Sequence, residues 1–370
     1  MKFSFFIKNA DAEELAKEHV QQDACQARLS RKYRAYYQLR PLVPLAARRW
    51  MQKYWQPDVK KDWYIDDSFM RKMIDCVQRD NKITIIHPWP NGAQFAFVLT
   101  HDVETSEGLQ NIEKIAKLEE DLGFRSSWNI VPHKYKIDVG LIADLKSRGF
   151  EIGIHGYNHD GKLFLSKNTF HQRAGAINAA VREYQAVGFR APMVHRSLEW
   201  LQQLDIQYDA SCFDIDPFQP MPGGVGSIWP FVCGKLVELP YTLPQDHTLF
   251  IALGERDCRI WKDKLDYIAS NSGMALMLTH PDYLNTDRYL DLYRQFLLEV
   301  HQMGGYWHAL PSEVAQWWRR REESHLIADA AGDHSIQGPA QKDGVTCNLE
   351  LSDSGFHFRP QPKMLIEESP

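Results

Sequence analysis

Phe95-Ala96-Phe97-Val98-Leu99-Thr100-His101-Asp102-Val103-Glu104 decides how the rest of the chain is read. An uninterrupted apolar run of this length suits a fully buried strand, and it delivers three titratable side chains at its end. The same arrangement recurs downstream. Helix-like stretches close at Gly123, Gly149, Gly188, Gly273 and Gly305, an apolar run follows each, and the runs reach Asn129, His155, Arg190, His280 and His308. A parallel α/β sheet or barrel puts the carboxyl ends of its strands on one face, so these polar ends are expected to converge on a single site.

Working outward, the β/α alternation holds from Asn91 to about Glu322. Ile112, Ile115, Leu118 and Leu122 recur at helical spacing, as do Leu141, Ile142 and Leu145 before the next glycine. Pro311–Arg321 reads as a terminal helix with Pro in its first turn. Residues 91–322 are therefore read as an α/β barrel or open parallel sheet, between which the pattern alone does not choose. Residues 1–90 lack the rhythm and read as a helical N-terminal extension interrupted by Pro41 and Pro44. In 323–370, Val345, Cys347, Leu349 and Leu351 alternate up to Asp353-Ser354-Gly355, the signal of a small β-rich tail with a hairpin.

Composition bounds the function. The chain has 370 residues, 44% hydrophobic and 25% charged, the balance of a soluble globular protein. A net charge of -5 gives no reason to expect a nucleic-acid partner. Cys25, Cys76, Cys212, Cys233, Cys258 and Cys347 form no CxxC pair and read as reduced thiols. No apolar run approaches the roughly 20 residues of a membrane helix. Met1–Lys8 starts like a signal peptide, but Lys8 ends the apolar stretch early, and the cytoplasm is the expected compartment. Residues 28–55 are rich in Arg, Lys, Tyr and Trp without an acidic residue. Peripheral contact with an anionic membrane surface is one expectation for them, and a solvated helical arm packed on the main domain is the other.

The strand ends carry the chemistry. His155 and His159 lie four residues apart, and a helical turn or tight loop would point both rings at one divalent metal. Asp102 and Glu104 alternate at a strand end and can both face the same mouth. A Glu with two His completes a tripod that leaves a position for water, and the second carboxylate is placed to act as general base. His280 has the chemistry of a proton donor near neutral pH, and Arg190 could hold the base ionised. Asp214 or Asp216 could orient the His280 ring. Trp128, Tyr157, Phe218 and Trp229 are candidate platforms for sugar rings.

Thr100–Glu104, His155–His159, Arg190-Ala191-Pro192, Asp214–Asp216 and Leu278-Thr279-His280 together resemble the ordered motifs of the polysaccharide deacetylase family, the NodB-homology carbohydrate esterases. The resemblance covers roughly 95–310 and implies a distorted (β/α)7-type barrel. It also implies metal-dependent removal of acetyl groups, chiefly N-acetyl, from a sugar, polysaccharide or glycan precursor. By resemblance Asp102 is the base, His155 and His159 are metal ligands, Arg190 orients the base, His280 is the acid, and Asp214 or Asp216 tunes it. The implied cofactor is a divalent metal, with zinc favoured.

Three departures stand out. Asp102-Val103-Glu104 replaces two adjacent aspartates, which moves the carboxylate ligand to Glu104 or removes it. His101 replaces an aromatic and is a further candidate to reach the metal. Met193 stands where an aromatic often follows Arg-x-Pro, with its backbone N–H still able to serve an oxyanion. Two other functions remain open at this point: a small-molecule amide hydrolase on the same barrel, and an inactive carbohydrate-binding relative.

Overall fold

A computed structural model describes residues 3–5, 7, 10–26, 31–39, 42–44, 47, 59–78, 83–219, 221, 224–330, 332–352 and 355–360. In chain order the elements are β1 (Phe3–Ser4), α1 (Ala10–Gln26), α2 (Arg31–Leu39), α3 (Ser68–Gln78), β2 (Ile83–Ile86), β3 (Phe95–Val103), α4 (Ser106–Asp121), β4 (Ser126–Ile130), α5 (Val139–Ser147), β5 (Glu151–His155), α6 (Lys167–Tyr184), β6 (Gly188–Arg190), β7 (Tyr208–Asp209), β8 (Phe231–Cys233) and β9 (Leu236–Glu238). After them come α7 (Arg259–Ser270), β10 (Met274–Thr279), α8 (Asp287–Met303), β11 (Tyr306–His308), α9 (Pro311–Glu323), β12 (His325–Ala328), β13 (His334–Gln337), β14 (Thr346–Ser352) and β15 (Gly355–Pro360).

Parallel strands run in the order β9-β7-β6-β5-β4-β3-β10, with β3 between β4 and β10 and buried along its whole length. β11 pairs with Phe95–Phe97 of β3, and β4 takes over that strand from Leu99 onward. The sheet curls into a distorted barrel. Its closure is made by the chain after β9 rather than by another full strand: Leu243 bridges Met277 of β10, and Thr242 N–H donates to the Leu276 carbonyl at 3.1 Å. Helices cover the outer face, and α4 has a local reason to begin and end. Thr105 caps α4 by accepting from Gly108 N–H at 3.2 Å, Ile112, Ile115 and Leu118 turn inward, and Gly123 ends the segment at φ +81°.

The interior of this barrel is polar near its open end. Inward positions carry Thr100, Asp102, Asn129, His155 and Arg190, all buried. Gly153 is required among them, because a Cβ there would come within 2.0 Å of the Asn129 side-chain oxygen.

The two flanking regions differ from the sequence expectation. The N-terminal region is helical only in part: β1 joins the main sheet antiparallel to β8, and β2 pairs antiparallel with β14. A short segment that pairs with a distant strand has no local periodicity to reveal it. The tail holds two hairpins, β12–β13 as well as β14–β15. Of the basic segment 28–55, most residues lie outside the described ones; within α2, Arg34 donates to the Leu165 carbonyl at 3.0 Å. Among the described residues no helix is long and apolar enough to cross a membrane.

Candidate active site

At the carboxyl ends of the parallel strands, β3 places Asp102 between two hydrogen-bond donors and an imidazole. Asn129 of β4 donates to Oδ1 at 2.8 Å, and Arg190 of β6 donates to the same oxygen at 3.1 Å. His155 Nδ1 lies 3.6 Å from Oδ2. Burial works against the carboxylate, but the charge of Arg190 and His280 and the Asn129 amide outweigh it and hold Asp102 below the ordinary carboxylate range. Arg190 is itself fixed in depth: its Nε–H goes to the Ala210 carbonyl at 2.8 Å and its Nη1 also reaches Thr100 Oγ1 at 2.8 Å.

His155 ends β5, and the chain turns sharply over Gly156–Gly161 to return His159 beside it, with the ring centroids 5.2 Å apart. His159 has φ +58°, a left-handed conformation that few non-glycine residues adopt and that tends to mark functional turns. His155 Nδ1 lies 3.1 Å from the Arg190 carbonyl, so that nitrogen is assigned the proton and Nε2 carries the lone pair. That Nε2 is buried and makes no hydrogen bond. Glu104 Oε1 comes within 2.8 Å of His159 Nε2, and Glu104, His155 and His159 each offer a ligand atom within 4.8 Å of the others. A buried imidazole lone pair that no protein donor claims, next to a carboxylate and a second imidazole, is the donor set of a divalent metal site with a position left for water. These residues fit a divalent cation.

On the far side of Glu104 stands His280, its Nε2 4.0 Å from Glu104 Oε1. Its other face is held by Asp246, which accepts from His280 Nδ1 and from His280 backbone N–H, both at 2.7 Å. Burial disfavours the imidazolium, yet the charge and hydrogen bond of Asp246, with Glu104 and Asp102 beyond, raise His280 to about 10. Beside His159 a small pocket is lined by Tyr157, Asn158, Phe164, Arg173, Pro192 and His195.

Solved structures settle the architecture. A protein from Mycobacterium smegmatis assigned as a polysaccharide deacetylase superposes with a TM-score of 0.55 at 20% identity, over 64% of this chain and 94% of its own. A second, from Pseudomonas aeruginosa PAO1 and likewise assigned, gives 0.52 at 15% identity, over 63% and 94%. The chain has the polysaccharide deacetylase fold. No protein-family model and no curated protein matches the sequence.

On this deacetylase fold most of the expected residues meet: Asp102, Glu104, His155, His159, Arg190 and His280 share the barrel mouth. Others do not. Asp214 ion-pairs with the buried Lys264 and Asp216 accepts from Tyr241 and Gln219, so neither touches the His280 ring; Asp246 takes that place. Trp128 is fully buried outside the barrel, stacked on His101 at 4.2 Å, and cannot present a face to a sugar. Trp229 is also fully buried, and its indole N–H goes to the Ser272 carbonyl, before β10 begins and thus at the opposite end of the barrel. His101 is spent on Glu119 and Thr279, at 2.7 and 2.8 Å, and does not face the metal residues. Tyr157 lines the small pocket beneath the Arg173 guanidinium. Met193 lies in the turn after β6, at φ +56°, whose Pro192 packs on Gly156.

Three residues at the mouth have no role in the sequence reading. Asn129 is a noted strand end without a partner until the fold supplies Asp102. Asp282 lies two residues after the histidine motif and accepts from the Glu104 backbone N–H at 2.9 Å. Asp246 follows Leu239-Pro240-Tyr241-Thr242-Leu243-Pro244, whose two prolines disguise the barrel-closing segment, so its end is not counted among the strand ends.

Proposed function

We propose that the chain is a metal-dependent hydrolase that removes acetyl groups, N-acetyl in particular, from a sugar or glycan precursor. The observation that carries this reading is the Glu104–His155–His159 cluster set between the guarded carboxylate of Asp102 and the imidazole of His280. The fold shared with proteins assigned as polysaccharide deacetylases agrees with it.

A divalent cation such as zinc, held by Glu104, His155 and His159, would supply Lewis acidity to the acetyl carbonyl and lower the pKa of water. Everything else falls to the chain. Asp102 accepts the proton of the attacking water; Asn129 and Arg190 occupy its Oδ1, which leaves Oδ2 on the side of His155. As the new carbon–oxygen bond forms and the carbon–nitrogen bond breaks, His280 gives the proton on Nε2 to the departing sugar nitrogen. Asp246 keeps the Nδ1 proton in place and stabilises the imidazolium before transfer. The turn around Met193 is the candidate source of a backbone donor for the oxyanion.

Metal analysis of the purified chain tests the site. One bound divalent ion per chain is expected, with occupancy lowered in Glu104→Gln and abolished in His155→Ala. Stoichiometric metal in Glu104→Gln would remove Glu104 from the ligand set.

A further inference from the structure

Resting on the metal-site reading above, we propose that Asp282 is the positioning residue that carries Glu104 to the metal, and that Gly108 exists to make room for it. β3 runs extended through Val103, whose side chain is fully buried in the core. Glu104 follows where the strand ends and the turn into α4 begins, one residue beyond the last β3–β4 pair, Val103 with Ile130. Asp282 supplies that hold from the loop after β10. Its Oδ2 accepts the Glu104 backbone N–H at 2.9 Å, and its Oδ1 accepts the Thr105 hydroxyl. The Thr105 hydroxyl in turn accepts from Gly108 N–H at 3.2 Å, so the carboxylate grips the start of α4 and the ligand residue together.

The carboxylate also lies against Gly108 so closely that a Cβ there would sit 2.3 Å from Asp282 Oδ2. Glycine is a poor helix residue, and at Gly108, the third residue of α4, the Asp282 carboxylate gives a reason for it. The loop is tied a second time where Asn111 of α4 donates to the Pro281 carbonyl at 3.2 Å. His280 belongs to the same loop, so the clamp sets the ligand carboxylate and the acid imidazole with respect to each other.

Groups that orient a metal ligand characteristically change metal affinity by about 10–100-fold when removed. Zinc titration of the full-length apo chain by calorimetry, with melting curves recorded with and without zinc, reads this directly. The expected result is zinc affinity about 10–100-fold weaker in Asp282→Ala, with a correspondingly smaller zinc-induced rise in Tm. Gly108→Ala, which leaves the carboxylate present but displaces it, should weaken zinc in the same direction and add little in the Asp282→Ala background. A merely structural contact would lower the melting temperature equally with and without zinc and leave the affinity unchanged. Should Asp282→Ala not fold, Gly108→Ala carries the test, and wild-type affinity in that variant would overturn the inference. Wild-type chain that binds zinc while both single variants bind it equally well overturns the role of Asp282 alone. Wild-type chain that binds no zinc overturns the metal site and this inference with it.

Discussion

Asn129 donates its side-chain amide to Asp102 Oδ1 at 2.8 Å, across adjacent parallel strands in which the two residues are register partners. The bond is buried and falls on the oxygen that Arg190 also holds, so it decides which oxygen of the base remains available. A hydrogen bond to a charged group contributes about 1.5–3 kcal/mol, which corresponds to roughly 10–150-fold in rate where the base is the species held. Asn129→Leu should therefore lower kcat by at least about tenfold with bound metal unchanged. Acetate-release kinetics alongside metal analysis checks it, and wild-type kcat in the variant would show that the amide does not position the base.

Asp246 is the group that orients His280, with both of its oxygens engaged at 2.7 Å. Asp246→Asn keeps the shape but removes the charge that favours the imidazolium and permits the wrong tautomer. A fall in turnover on the order of a hundredfold is expected, with metal content intact. Equal substitutions at Asp214 and Asp216 should act through stability instead, since neither contacts the ring. Turnover lost more heavily in Asp216→Asn than in Asp246→Asn would reverse this assignment.

Metal removal offers a reading that needs no substrate. A ligand that binds only the folded state at 100 times its Kd adds about 2.7 kcal/mol of stability. Chelation should lower the Tm of the wild-type chain and zinc should restore it, whereas His155→Ala should show no response to either. Melting curves with and without chelator decide the point.

Stability against pH should carry the mark of His87, 3% exposed in the segment between β2 and β3. Its Nδ1 accepts the Trp89 backbone N–H at 3.1 Å. Burial, together with the nearby Arg321 cation, lowers its pKa from 6.5 to about 4 even though the Trp89 carbonyl, 3.2 Å from the same nitrogen, works the other way. A folded pKa below the unfolded one means that the unfolded chain takes up the proton first as pH falls. The contribution is therefore whole above about 6.5 and is lost down to about 4, on the order of 3 kcal/mol across that window. His87→Gln should flatten the dependence of unfolding free energy on pH between 4 and 6.5 in denaturant titrations. A slope as steep as that of the wild type would assign it to other groups.

The parallel core was legible because fully buried strands carry continuous apolar runs and the helices before β4, β5 and β11 stop at Gly123, Gly149 and Gly304. By contrast, α6 ends at Gln185, and Gly188 is already the first residue of β6. Asp102, His155, Arg190 and His280 were legible for the same reason, as they stand at the ends of those runs. What escaped depends on pairing that no local pattern records. β2 finds its partner in β14, more than 250 residues away, and the barrel closes through Tyr241–Leu243, a segment flanked by prolines. Asp246 was hidden with that segment, and Asp214 and Asp216 stood in for it because their own run also ends in carboxylates. Trp128 failed as a sugar platform because an aromatic in a strand has two faces to choose from and its ring packs outward on His101. Trp229, in the segment before β8, packs at the opposite end of the barrel.

The most direct measurement is acetate release by the zinc-loaded chain over a panel of N-acetylated sugars, nucleotide sugars and lipid-linked glycans, run beside Asp102→Asn. The expected result is acetate from at least one member of the panel, with turnover in Asp102→Asn reduced on the order of a hundredfold or more. Acetate released equally by Asp102→Asn, or none from any acetylated sugar by a chain that holds its metal, would contradict the assignment of this site to sugar deacetylation.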